Sequence, residues 1–455
     1  MPSLPENALN GDNSKQIISQ FLKNHTIAHL LRQSGANKQK GIPVAKTLQF
    51  IFSALFSGKS LHRCLDYDPD HLIKKDTVYR FLNLPSIDWT RFLLTLSQQV
   101  ISKIIPLTSE DRRSVFIIDD SFYDRSRSRK TELLARVYDH ARHIYGYGYR
   151  LLTLGWSDGN TFIPVNFCLM SSQDSSKRLV EAHDHCHTAA KDRRKLAVAS
   201  APDTTITLLE QAKQAGIQAS HVLVDSWFSF PSFILRVSAL GYHCVAMVKK
   251  SKKIYYEFER KRQSVKDIFA GCKKRRGRSR YLLSVIVSVS HKDGNSIPAR
   301  LVFVRNRSNR NEYLVLLSTD MTMDEDDIIQ TYGKRWAIEI FFKVAKSYLK
   351  IVKGCSSRNY DAITAHTSIT CAQYIMLAEL QRFQEDYRSI GDLFFATFDE
   401  IQDITYQEAL FLILSAVLHA ITEALTLSEE DQQKLVEAFL DSLPKPLSMR
   451  LASAA

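Results

Sequence analysis

The chain has 455 residues and a mass of 52.0 kDa, enough for about three domains. Apolar residues make up 45% and charged residues 24%, which excludes a wholly disordered or collagen-like chain. Sixty-one Lys and Arg against forty-eight Asp and Glu leave a net charge of +13, pointing to a polyanionic partner, nucleic acid ahead of a membrane surface.

Met1 to Lys15 is polar and carries no signal-peptide core. The longest apolar stretch, Ala409 to Ile421, is shorter than the about twenty residues a membrane span needs. The seven cysteines (Cys64, Cys168, Cys186, Cys244, Cys272, Cys355 and Cys371) are scattered and form no C-x-x-C pair. They read as reduced thiols, so a cytoplasmic protein with no membrane association is expected.

Residues 1–105 read as helical, with apolar residues recurring at Leu48, Phe52, Leu55 and Phe56 and again at Tyr79, Leu82, Phe92, Leu93 and Leu96. Lys74 to Arg80 reads either as a basic recognition helix or as an ordinary solvated helix start with Asp76 near its cap. At Ser114 the pattern changes. Ser114 to Asp120 is a short apolar run ending in acids, the mark of a buried strand. Tyr147 to Trp156 and Thr161 to Met170 form a hairpin around Asp158-Gly159. Thr204 to Ala215 is a helix capped by Asp203 and stopped by Gly216. His221 to Asp225 is a second buried strand ending in an acid. A helix over Pro231 to Leu240 and a strand over Tyr242 to Val248 follow.

From Lys249 to Arg280 there are fourteen Lys or Arg and three acids. Such a run is usually a solvated face. Here it is interleaved with Tyr255, Tyr256, Phe258 and Phe269, with Tyr281 next to it, so it also reads as a DNA-contacting surface, with Lys273, Lys274, Arg275 and Arg276 as its densest part. Strand-like runs at Leu282 to Val289, Ala299 to Val304 and Glu312 to Leu317 make the region β-rich. Thr322 to Lys353 reads as one long helix, opened by a Thr322/Glu325 capping box and closed by Gly354. The remainder is mostly helical, with a Leu-rich stretch at Leu410 to Leu418. His183-x-His185-Cys186-His187 lacks a second ligand cluster at zinc spacing and reads as a solvated loop beside Lys191, Arg193, Arg194 and Lys195.

Three carboxylates stand out. Asp120 and Asp225 end strands, and Glu339 lies mid-helix. Acids at strand ends escape the packed core and commonly line sites in α/β folds. Three of them could hold two divalent ions and drive in-line attack on a phosphodiester. Each alone would serve equally as a cap or half of a salt bridge. On a continuous helix, Tyr332, Arg335, Glu339 and Lys346 fall on one face, while Ile338, Phe341, Phe342, Ala345 and Leu349 form a separate apolar stripe. Trp227, two residues after Asp225, reads as core packing.

Tyr332-x2-Arg335-x3-Glu339-x6-Lys346, with Asp119-Asp120-Ser121 and Val222-Leu223-Val224-Asp225, resembles the YREK-signature DDE transposases of the insertion-sequence-four family of bacteria. That resemblance implies a ribonuclease H-like α/β catalytic core with a β-rich insertion, flanked by helical N- and C-terminal regions. The implied divisions are 1–105 (helical, DNA-binding), 106–248 (core, first part), 249–321 (basic insertion), 322–355 (helix with the catalytic Glu) and 356–455 (helical). It implies Asp120, Asp225 and Glu339 as catalytic ligands of two Mg²⁺ ions, with Mn²⁺ as a substitute. The acid directly before Ser121 is preferred over Asp119. Tyr332, Arg335 and Lys346 would hold the DNA end. The implied partner is double-stranded DNA, both element ends and target, gripped by a homodimer in the bacterial cytoplasm and nucleoid. Some family members stack a flipped base on a Trp in the insertion. No Trp lies there in this chain, which leaves Tyr255, Tyr256 or Tyr281 for that role.

Overall fold

The computed structural model describes residues 12–383, apart from 38–39, 57–60, 62–64, 66–72, 110–111, 140–141, 277–278, 292–293 and 306–311. The Leu410 to Leu418 stretch and most of the 356–455 region lie outside the described residues.

A single mixed sheet organises the chain. Its strands are β1 (Val115–Asp124), β2 (Ala135–Asp139), β3 (Ile144–Ser157), β4 (Phe162–Met170), β5 (His221–Val224), β6 (His243–Met247), β7 (Tyr256–Phe258), β8 (Lys261–Gln263), β9 (Tyr281–Ser290), β10 (Ser296–Arg305) and β11 (Tyr313–Ser318). They lie in the order β2-β3-β1-β5-β6-β11-β10-β9-β7-β8, with β4 also on β3. β1, β5 and β6 are mutually parallel, and β3 and β4 run antiparallel beside them. This is the strand order of a ribonuclease H-like core. The strands of 249–321 continue the same sheet, because β11 pairs antiparallel with β6.

The helices are α1 (Asp12–Asn24), α2 (Ile27–Gln33), α3 (Val44–Phe56), α4 (Lys75–Leu82), α5 (Trp89–Ile104), α6 (Thr188–Ala197), α7 (Ala201–Gln214), α8 (Pro231–Ala239), α9 (Val265–Gly271), α10 (Glu325–Gly333), α11 (Trp336–Ser347) and α12 (Tyr360–Phe383). No described helix is long and apolar enough to cross a membrane. Val115, Phe116, Ile117 and Ile118 are fully buried, each side chain worth about 1.5–3 kcal/mol on transfer from water. β4 is buried along its whole length. Its Pro164 sits where the β3–β4 register shifts, a place that tolerates the missing N–H. Ser97 Oγ of α5 donates to the Pro164 carbonyl at 3.0 Å. The N-terminal helices also pack on α12: Gln373 Nε2 donates to the Phe52 carbonyl at 2.7 Å, and His25 Nε2 lies 2.7 Å from Glu379 Oε2.

Several expectations are corrected here. Asp119 and Asp120 lie inside β1 and do not end it, because β3 is long enough to pair with Ser121 through Asp124 as well. The cap of α7 is Ser200, whose side chain accepts from the Asp203 N–H. The long helix over 322–353 is two helices. Asp324 caps α10, while Thr322 donates its hydroxyl to Asp320 instead. The break falls at Lys334-Arg335, where bonding tightens to i→i−3. It follows Gly333, a poor helix former, and Lys334 Nζ is drawn 2.6 Å from the Arg113 carbonyl. α11 stops at Ser347. Lys350 then adopts a left-handed φ of 53°, which lets Leu349 and Ile351 on either side both bury fully.

Candidate active site

β1 carries two neighbouring acids, and strand alternation sends them to opposite faces. Asp119 shares its face with Ser121 and Tyr123. There Arg335 Nη1 donates to Asp119 Oδ2 at 2.8 Å, and Lys346 Nζ donates to Ser121 Oγ at 2.6 Å. The second arm of Arg335 holds Glu339 Oε1 one turn along α11. One guanidinium therefore joins the centre of β1 to the helix carrying Glu339. The i→i−3 turn at Lys334-Arg335 does not separate them, since Arg335 and Glu339 keep a helical i,i+4 relation across it.

Asp120 faces the other way. Arg150 Nε of β3 donates to Asp120 Oδ2 at 2.6 Å, and the same guanidinium lies 4.6 Å from the centroid of the Trp227 ring. Asp225 follows the end of β5, and its Oδ1 accepts the Trp227 N–H at 3.0 Å. It acts electrostatically on both strand acids. Burial, opposed by Arg335 and reinforced by the Asp225 charge, pushes the Asp119 carboxyl up to about 7. Burial raises Asp225 as well, with Asp120 adding to the rise. Tyr332 is pushed up to about 12, again chiefly by burial. Burial lowers the Lys346 ammonium against the pull of Asp139, Asp120 and Asp124.

The structure thus brings Asp119, Asp120, Asp225, Tyr332, Arg335, Glu339 and Lys346 into one locality, with Asp119 rather than Asp120 in contact with the partner of Glu339. Lys273, Lys274, Arg275 and Arg276 lie apart from it, between α9 and β9. Lys274 Nζ sits 4.7 Å from the Phe269 ring, and the Arg275 guanidinium 4.3 Å from that of Tyr281. Of the tyrosines considered for stacking, Tyr256 and Tyr281 are buried and Tyr255 is exposed.

One local reading is overturned. Trp227 is 41% exposed: Asp225 accepts its backbone N–H in a turn beyond β5, and its ring lies against the Arg150 guanidinium rather than in the core. The His183–His187 segment is a largely exposed loop, and beside it Arg194 is buried. It lies between Glu132 (2.7 Å) and Asp361 (2.8 Å), tying α6 to α12. The Glu132 and Asp361 partners are far away in sequence, so local pattern gave no hint of them. Among the described residues no three His, Cys, Asp or Glu side chains stand together as a ready metal cluster, neither in the His183–His187 segment nor among Asp119, Asp120, Asp225 and Glu339. Trp336, 64% exposed and next to Arg335, is a further ring near the site that sequence reasoning passed over.

The mixed sheet has the ribonuclease H-like strand order and carries acids on β1, just after β5 and on α11. The chain belongs to the DDE superfamily endonucleases: that family's model matches residues 54–302, more than half of its length. The matched span includes Asp119, Asp120 and Asp225 and stops before Glu339. No curated protein matches the chain.

Proposed function

We propose that the chain is a metal-dependent DNA transposase of the insertion-sequence-four type, cleaving and joining strands at the ends of a mobile element. The observation that carries this is the Arg335 bridge between Asp119 on β1 and Glu339 on α11, with Asp225 within charge range of both strand acids. The donors fit a hard cation: they are carboxylate oxygens with no thiol or imidazole among them. Burial drives the upward shift of Asp119, and the Asp225 charge adds less than Arg335 takes away.

Asp225, Glu339 and one of the two β1 acids would hold two Mg²⁺ ions, or Mn²⁺ in their place. The sequence motif favours Asp120, and the contact to Arg335 favours Asp119. When bound, the ions would supply Lewis acidity at the scissile phosphate and lower the pKa of the attacking hydroxyl. Arg335, with its planar fork, and Lys346, as a point charge, would hold phosphate oxygens beside the acids. Tyr332 would set the Arg335 approach. Water attack would nick one strand, and the freed 3′-hydroxyl would then attack a second phosphodiester by the same in-line geometry. Two element ends would be paired by a homodimer on double-stranded DNA in the bacterial cytoplasm.

The test uses labelled duplexes carrying the DNA that borders the reading frame. Mg²⁺-dependent joined products support transposition. Hydrolysis without joining supports a nuclease or resolvase of the same fold. No cleavage in Mg²⁺ or Mn²⁺ overturns both.

A further inference from the structure

The sequence pattern puts the DNA-facing charge in 249–321. The structure shows a second basic, aromatic surface on the opposite flank of the acid cluster, in the ribbon formed by β2 and β3. β2 pairs with the first part of β3, from Ala135↔Gly148 to Asp139↔Ile144; apart from one bridge from Ala135 to Arg178, the sheet has no further strand beyond it among the described residues. The ribbon is pressed tightly onto the end of β1. A Cβ at Gly146 would come within 2.7 Å of the Phe122 ring, and one at Gly148 would strike the Tyr123 carbonyl. Only glycine allows that approach.

Alternation carries the Asp119, Ser121 and Tyr123 face of β1 across to Tyr145 and Tyr147 on β3 and to Arg136 and Tyr138 on β2. The side chains on this face order one another. The Arg136 guanidinium stands 4.5 Å from the Tyr145 centroid and that of Arg129 stands 4.6 Å from Tyr147. Tyr138 meets Tyr145 edge-on at 5.0 Å. Tyr145 is nevertheless 61% exposed and Ile144 54% exposed. Arg127, Arg129, Lys130, Arg136 and Arg142 are all exposed. The turn end of the ribbon comes towards the acid cluster, since Asp139 and Arg142 both act on the Lys346 ammonium.

We propose that the β2–β3 ribbon is a second DNA-contacting surface, gripping the duplex backbone on the side of the acid cluster away from 249–321. The proposal rests on the DNA-processing reading above. Charge complementarity selects the occupant. The exposed charges on the ribbon and on the loop leading into it are arginines and a lysine, and rings hold the Arg129 and Arg136 guanidiniums in place with N–H groups to offer phosphates. A two-stranded ribbon is also a shape the major groove admits. A second copy of the chain, itself carrying +13, matches this surface less well.

The experiment is fluorescence anisotropy of the full chain with a labelled 30-base-pair duplex of arbitrary sequence, over a range of salt concentrations. The variants are Arg129→Ala/Arg136→Ala, Arg129→Lys/Arg136→Lys and the 273–276 quadruple alanine variant. Removing two phosphate-binding groups should lower the log–log salt slope by about 1.8 and weaken binding, while the lysine pair should keep most of the slope. An unchanged slope in the alanine pair, with DNA bound by wild type and weakened by the quadruple variant, overturns this proposal and leaves the DNA reading standing. No duplex binding by wild type overturns the DNA reading itself. Normal DNA binding by the alanine pair together with loss of a wild-type oligomer in light scattering makes the ribbon a self-association face and also overturns the proposal.

Discussion

β1 and β9 are both ten residues long and share one sheet, yet they bury differently. The first four residues of β1 are fully buried, and its acids surface only beyond them. β9 alternates buried and open positions, and its Ile286 stands 56% exposed. Near β1, helices and neighbouring strands shut out water, so a charge that emerges is only partly solvated and interacts strongly with its neighbours. Asp119 is pushed up to about 7 in that setting. On the β9 side the nearby charges keep their water and can act on a polyanion as a field. One sheet therefore supplies concentrated chemistry at its centre and diffuse attraction on its wings.

The contrast can be broken most severely at the centre. Glu339→Gln and Asp225→Asn should each lower Mg²⁺-dependent cleavage by roughly three orders of magnitude, the scale of losing one aimed electrostatic group, while duplex affinity stays near wild type. Asp119→Asn and Asp120→Asn compared side by side identify the β1 ligand: the dead one holds the metal, and the other should retain activity. In the packed layer, Phe116→Ala should cost about 3–5 kcal/mol in urea melts, against less than about 0.5 kcal/mol for Ile286→Ala on the open wing. Equal costs would remove the distinction between the two regions.

Acid sharpens the same difference. His366 of α12 is fully buried, and burial, with Arg125 opposing its protonation, lowers its pKa to about 3 from an ordinary 6.5. The unfolded chain binds this proton more readily than the folded one. The contribution is therefore intact above pH 6.5 and is lost as pH falls from there towards about 3, at up to about 1.4 kcal/mol per unit. Urea midpoints measured at pH 7 and pH 5 should differ less in a folded His366→Gln variant than in wild type. The smallest effect is on the wing. Neutralising Lys273, Lys274, Arg275 and Arg276 should flatten the salt dependence of duplex binding, by about 0.9 for each phosphate no longer neutralised, with no loss of thermal stability.

Much of the frame was legible because it rests on local pattern. The apolar run ending in two acids, the Asp158-Gly159 hairpin and the Gly216 stop each name their element without reference to distant residues. The structure also brings the four residues Tyr332, Arg335, Glu339 and Lys346 close to the acids. What escaped depends on interactions made across the fold. The break before Arg335 follows from Lys334 reaching back to Arg113. The burial of Arg194 needs Glu132 and Asp361, and the turn that keeps Trp227 outside the core is held by Asp225. β2 is only five residues long and shows itself only against β3. The two faces of β1 could not be told apart beforehand, because both sides of Ser114 to Ile118 are apolar.

Everything proposed for the chemistry depends on acids from β1, the end of β5 and α11 forming one divalent-metal site. Fe²⁺ put in place of Mg²⁺, with ascorbate and peroxide, cuts polypeptide beside the bound ion. Three backbone cuts are expected in the wild-type chain, near residues 119–120, near 225 and near 339, all suppressed by excess Mg²⁺ and all absent in Glu339→Gln. Cuts confined to other segments, or cuts at 119–120 and 225 that persist in Glu339→Gln, would contradict a shared site.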